Sequence, residues 1–181
     1  MPKAIFDRGC KACPRLAGFL DEVNARHPDY YCRPVPPFGD GSARLLIVGL
    51  APGMHGANRT GRPFTGDHAG ILLYETLHRY GFSSKAESLS ADDGLTLLDC
   101  RITNAVKCLP PDNKPGGAEI NTRNRFLANE LATLESGSIV LALGGIAHRA
   151  VVKARGLRQA DYKCAHAADH DLGEFRMLDS Y

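Results

Sequence analysis

"RLLIVGLAPGMHGANRTGRPFTGDHAG", residues 44–70, sets the architecture of the chain. Residues 44–50 are apolar almost without interruption, which fits a parallel strand covered on both faces better than a half-exposed one. The run breaks at Gly49, and from there to Gly70 the chain holds six glycines and two prolines. Glycines at 49, 53 and 56 let the backbone approach a ligand and turn its N–H groups toward it. No Gly-Lys-Ser/Thr follows at the spacing of a phosphate-binding P-loop. A buried strand that empties into such a loop, with a helical pattern beginning at residue 69, is the start of a strand–helix alternation.

The alternation continues. "LLDCRITNAVKC" (97–108) and "SIVLALGG" (138–145) read as further buried strands, and "EFRMLDSY" (174–181) as a fourth. Helical spacing occupies 69–82, with Ile71, Leu72, Tyr74 and Leu77 on the apolar face. It recurs over 118–136, with Ile120, Leu127, Leu131 and Leu134, and over 145–156. The expected fold is a three-layer α/β/α sandwich around a central, mainly parallel four-stranded sheet, with ligands where loops leave the strands' carboxyl ends. No repeat or linker divides the 181 residues, so a single domain over 1–181 is expected.

Composition narrows the class. The chain is 44% hydrophobic and 23% charged, with a net charge of +2. That balance does not by itself point to nucleic acid, so any basic patch must be local. No run approaches the ~18 apolar residues of a membrane span, and "MPKAIFDRGC" lacks the apolar core of a signal peptide. A cytoplasmic protein is expected, and its six cysteines then read as thiols or as metal or cluster ligands rather than disulfides. Cys10 and Cys13 form a tight C-x-x-C.

Two loops carry candidate chemistry. In the first, Phe64 offers a flat apolar face and Asp67 a carboxylate just before a helix, where it could equally be an N-cap. In the second, Asn104 closes a strand and presents a donor and an acceptor side by side, which suits the edge of a base. Each residue alone also fits an ordinary core or turn position.

"GLAPGMHGANRTGRPFTGDHAG" resembles the first motif of the family 5 (type b) uracil-DNA glycosylases. "TNAVKCLPPDNKP" is similar to that family's second landmark, and "CKACPRL" to its N-terminal cluster motif. The resemblance implies an iron–sulfur glycosylase of base-excision repair. Such an enzyme hydrolyses the N-glycosidic bond of uracil, or of other deaminated bases, in duplex DNA after flipping the base into a pocket. It implies that Phe64 stacks on the base, that Asn104 reads its edge, and that main-chain N–H groups around Leu50, Ala51 and Gly53 bind a uracil oxygen. Asp67 is implied to stabilise the sugar cation and orient the attacking water. Arg59, Arg62 and Lys114 are candidate phosphate contacts. DNA is the expected partner, with no membrane, and a monomer is expected.

Two departures from the family pattern bear on these expectations. The resemblance implies a 4Fe–4S cluster on four thiolates, of which Cys10, Cys13 and Cys108 match, but the fourth position is Arg123. The steps Ile120, Arg123, Leu127, Leu131 and Leu134 place that arginine on the inward stripe. A 3Fe–4S or labile cluster, or a zinc site of the three cysteines and a histidine, are the alternatives, and nothing in the spacing selects Cys32, Cys100 or Cys164 as a replacement. Secondly, the sequence ends at Tyr181, before the family's His-Pro-Ser loop and the helix after it, so the domain is expected to be truncated at its C-terminus. The rival functional reading is a catalytically impaired DNA-binding remnant of the family. A small redox or metal-binding protein has no use for Phe64 and Asp67 in that loop.

Overall fold

The computed structural model of the protein describes residues 6–181. The chain opens with helix α1 (Pro14–Arg26), which buries Leu16, Leu20 and Val23, and then makes a two-residue strand β1 (Phe38–Gly39). Strand β2 (Leu45–Gly49) follows and feeds the glycine-rich loop, which contains one short helical turn, α2 (Ala57–Thr60), before helix α3 (His68–Arg79). Strand β3 (Cys100–Asn104), helix α4 (Gly117–Leu131), strand β4 (Ser138–Leu143) and helix α5 (Gly145–Ala154) complete the alternation. The final hairpin is β5 (Asp169–Asp171) and β6 (Phe175–Ser180).

The strands form one sheet in the order β1-β3-β2-β4-β6-β5. The four strands expected from the sequence are its parallel centre: β2 pairs with β3 and β4, and β4 pairs with β6. The sheet is nevertheless six-stranded, because β1 and β5 add antiparallel edges. These edges are two and three residues long, too short to carry a periodic signal. Short edge strands also limit pairing with other chains.

Helices α4 and α5 cover one face, where Leu127, Leu131, Ala147, Ala150 and Val151 pack with Val140, Ala142 and Met177. On the other face α3 sets Tyr74 and Leu77 against Ile47 and Ile102. A third apolar cluster joins α1 to the segment after β3, through Leu16, Leu20, Val106 and Leu109.

Burial corrects the sequence reading in two places. Strand β2 is buried throughout its last four residues, as its continuous apolar run predicts, but β4 and β6 alternate, leaving Ile139 39% exposed. On α3, Tyr74 and Leu77 point inward, whereas Ile71 and Leu72 are 59% and 71% exposed. Helix α4 matches its predicted stripe: Arg123, Leu127 and Leu131 are buried, and Ile120 and Leu134 are partly so. No helix among the described residues is long and apolar enough to cross a membrane.

Strand order explains the position of the site. The chain leaves β2 for β3 on one side and later returns to β4 on the other. The carboxyl end of β2 is therefore the switch point at which an open α/β sheet leaves a crevice.

Candidate active site and cysteine cluster

Gly49 and Asn104 are paired in register at the carboxyl ends of β2 and β3. Beyond them the Ala105 and Val106 N–H groups donate to the Gly49 and Leu50 carbonyls, at 2.8 and 3.0 Å. This zipper extends the parallel pairing past the strand ends and fixes the direction of the Asn104 side chain. Asn104 is 3% exposed, and its Oδ1 has no hydrogen-bond partner among the described residues. A buried acceptor left unmatched costs about 1–3 kcal/mol.

The Phe64 ring closes on the same spot. A Cβ at position 49 would stand 2.5 Å from Asn104 Oδ1 and 2.5 Å from Phe64 Cζ. Gly49 is thus the floor on which an aromatic face and an unpaired amide oxygen converge. Phe64 itself has φ 54°, a left-handed conformation that costs of order 1–3 kcal/mol for a residue with a side chain. The fold over-determines it: a Cβ on Gly70 would come 1.8 Å from the Phe64 carbonyl oxygen, and the Tyr74 hydroxyl donates to the adjacent Pro63 carbonyl at 2.9 Å.

Asp67 is the N-cap of α3, and its Oδ1 accepts from the Gly70 N–H at 2.9 Å. Its other oxygen faces the glycine-rich loop: Cβ atoms on Gly53 and Gly56 would stand 3.6 and 2.4 Å from Oδ2. One oxygen therefore caps the helix, as the N-cap reading has it, while the other lies over the loop. The Gly53 carbonyl accepts from the Gly56 and Asn58 N–H groups, turning Leu50, Ala51 and Gly53 around the β2 exit.

Arg62 departs from the expectation of a phosphate contact. It is 4% exposed and lies over the Phe38 ring, and it donates to Asp93, Ser88 and the Ala91 carbonyl. Both of its terminal nitrogens are occupied, so it ties the loop to the 88–93 segment. Arg59 and Lys114 are exposed. Of the histidines near the loop, His55 Nδ1 is 2.8 Å from the Tyr30 hydroxyl, and His68 lies exposed in the first turn of α3.

The C-x-x-C lies near Cys108. Cys10, Cys13 and Cys108 are all buried, and Arg123 sits among them with 0% exposure. Its Nη2 donates to Cys108 Sγ at 3.1 Å, and neither Nε nor Nη1 finds an acceptor among the described residues. Burial pushes the Cys108 thiol up to about 11, against the pull of the Arg123 guanidinium. Cys100 belongs to the opposite face of the sheet and Cys164 is on the surface beyond α5, so neither replaces the fourth thiol. Cys32 shares the apolar cluster of Cys13 and Cys108, but accepts from Asn58 Nδ2 at 3.6 Å.

Among the described residues, the set of three ligating atoms within 4.8 Å of one another is His148, Cys164 and Asp179. Cys10, Cys13 and Cys108 do not form such a set. The donor set here is three cysteine thiols with a guanidinium beside them. It does not fit a four-thiolate cage, because arginine keeps its proton and cannot ligate.

The uracil-DNA glycosylase superfamily model matches residues 36–178. The chain belongs to the uracil-DNA glycosylases. It is 46% identical over 178 residues to a type-5 uracil-DNA glycosylase of Thermus thermophilus, covering 95% of this chain and 81% of that one. A type-5 uracil-DNA glycosylase of Pyrobaculum aerophilum is 43% identical, covering 85% of this chain and 70% of its own. A type-4 uracil-DNA glycosylase from the same organism is 35% identical over 68% of this chain. Within the uracil-DNA glycosylases, the chain is thus similar both to type-5 and, less closely, to type-4 proteins.

The sequence motifs found Phe64, Asp67 and Asn104. They did not reveal Gly49 as the point of convergence. Sequence reasoning also passed over α1, although Pro14 at its first turn and Leu16, Leu20 and Val23 at helical spacing were a usable signal.

Proposed function

We propose that this chain is a uracil-DNA glycosylase of base-excision repair. The observation that carries the reading is the convergence of the Phe64 ring and the unpaired Asn104 Oδ1 on Gly49, with an Asp67 oxygen over the adjoining loop. That space suits a flat heterocycle with an N–H on its edge. Phe64 stacks on the flipped uracil, and Asn104 Oδ1 accepts from its N3–H while the amide donates to a neighbouring carbonyl. Cytosine has no N–H at N3, so the same amide disfavours it. Backbone N–H groups of Leu50, Ala51 and Gly53 take a uracil oxygen.

As the C1′–N1 bond breaks, positive charge grows on the sugar and negative charge on the base. The Asp67 oxygen stabilises the first and orients the water that attacks C1′. The water's proton leaves through the carboxylate, and the products are free uracil and an abasic site. Arg59 and Lys114 are proposed as phosphate contacts. Cys10, Cys13 and Cys108 are proposed to hold an iron–sulfur cluster, which would brace α1 and the segment after β3 rather than join the reaction.

Single-turnover excision on a duplex containing one uracil tests the proposal, run beside Phe64→Ala and Asn104→Ala. Excision by the parent, with both variants reduced about 10²-fold or more, is the expected result. Duplex binding without excision by the parent would favour the non-catalytic reading instead.

A further inference from the structure

A second group of ligating side chains lies at the β5–β6 edge, and the proposed glycosylase reaction does not use it. His148 on α5 and Asp179 near the end of β6 are buried, and Cys164, in the segment between α5 and β5, is exposed. One ligating atom from each lies within 4.8 Å of the other two. His148 Nδ1 stands 2.9 Å from each Asp179 oxygen, and its Nε2 is 3.0 Å from the Tyr162 carbonyl oxygen. His170 Nε2, on β5, reaches Asp179 Oδ2 at 3.1 Å.

Both ring nitrogens of His148 therefore face acceptors. A carbonyl oxygen can only accept, so Nε2 carries the proton and donates to Tyr162. The neutral imidazole then turns its Nδ1 lone pair onto a carboxylate, which is repulsive unless a positive species lies between them. A second proton meets that need, and so does a metal ion. A shared proton leaves the Cys164 sulfur only a thiol hydrogen bond to Asp179, whereas a metal uses all three groups as ligands.

We propose that His148 Nδ1, Cys164 Sγ and the Asp179 carboxylate bind a zinc-class divalent cation, with the fourth position open to water. Imidazole nitrogen, thiolate and carboxylate are the ligand types zinc takes, and a thiolate argues against magnesium or calcium. The Nε2–H to Tyr162 hydrogen bond is the outer contact that fixes a ligating histidine's tautomer and ring angle, and His170 does the same for the carboxylate. A dication with one thiolate and one carboxylate is neutral, which suits a site whose inner wall is the buried His148 and Asp179. A cysteine ligates as its thiolate, so binding of the ion displaces the thiol proton. The ion would fasten α5, the 162–164 segment and β6 together. The site does not depend on the glycosylase reading.

The test is the alkylation rate of Cys164 in the purified protein, followed by peptide mass spectrometry with and without one equivalent of Zn²⁺. Cys164 is the exposed one of the six cysteines, so its peptide reports this site separately from the buried thiols. Slowing of at least about tenfold, lost in His148→Gln and in Asp179→Asn, is expected for a ligated thiolate. Less than twofold slowing, or equal slowing in parent and variants, overturns the proposal in favour of a proton alone or an adventitious ion. Cys164→Ser, an exposed change that should leave folding intact, gives an independent measure. With Co²⁺ it should bind one ion fewer per chain than the parent and lose a thiolate charge-transfer band. Identical stoichiometry and spectra would also overturn the proposal.

Discussion

Nη2 of Arg123 donates to the Cys108 sulfur across 3.1 Å, while the rest of the same guanidinium finds no acceptor among the described residues. A buried cation with two idle nitrogens is unfavourable unless something anionic lies beside it. The sulfurs of Cys10, Cys13 and Cys108 stand beside it, and a cluster held on them would supply that charge. We propose that the arginine stands where a cluster's fourth thiolate would ligate, offering hydrogen bonds instead of a ligand.

Arg123→Cys should raise iron and acid-labile sulfide per chain and increase thermal stability in parallel. The variant replaces a desolvated cation by a thiol on the same inward stripe, and a group bound only by the folded state stabilises it by mass action. Iron and sulfide assays on anaerobically prepared parent and variant, with melting curves, check this. Equal iron in both would show that another ligand already completes the site. Arg123→Met separates the effects: it removes the cation without adding a ligand, so iron content should not rise.

Asn104→Ala should lower uracil excision about 10²-fold or more without lowering the melting temperature. The reasoning is that Oδ1 is buried and unpaired, so its removal relieves a desolvation penalty and breaks no bond made by that oxygen. Single-turnover rates and melting curves on the same preparations decide it. A variant that loses stability along with activity would make Asn104 a structural residue.

The dual position of Asp67 gives a pair of variants that part company. Asn caps a helix as well as Asp does, so Asp67→Asn should keep stability within a few tenths of a kcal/mol while excision falls about 10²–10³-fold. Asp67→Ala should lose the same activity and also about 1 kcal/mol of stability, because the Gly70 N–H is left without its acceptor. If Asp67→Asn retains full activity, the carboxylate is a cap and nothing more.

The parts of this site that were legible in the sequence are those carried by periodicity and by strand exits. The apolar run 44–50 and the glycines behind it locate β2 and its loop, and the 3- and 4-residue steps of α4 put Arg123 inside. What escaped the sequence depends on three-dimensional approach. Ile71 and Leu72 looked like core residues because periodicity gives a helical face but not the edge at which a neighbouring layer stops covering it. Arg62 looked like a surface cation because its partners, Ser88, Ala91 and Asp93, lie 26 to 31 residues away. His148, Cys164 and Asp179 come from three separate segments, and only the pairing of β6 beside β4 brings them together.

The Arg62–Asp93 pair predicts an acid-sensitive brace for the glycine-rich loop. Burial by itself would push the Asp93 carboxyl up, but hydrogen bonds from the Leu95 and Leu89 N–H groups, Arg62 and the Ser90 N–H together hold it well below the usual range. A carboxylate whose folded value is depressed contributes stability above its unfolded value of about 3.9, and that contribution is lost as pH falls toward the folded value. Asp93→Asn should therefore melt lower than the parent at neutral pH by roughly 5 °C or more, a few kcal/mol for a chain of this size. The gap should narrow progressively below about pH 4, where the parent's own carboxylate takes up its proton. Since Arg62 lies between the loop and the 88–93 segment, the same variant should also loosen Phe64 and slow excision at neutral pH. Melting curves for both proteins from pH 7 down to pH 3 check the linkage. A gap that stays constant across that range would mean that Asp93 acts through packing rather than through its charge.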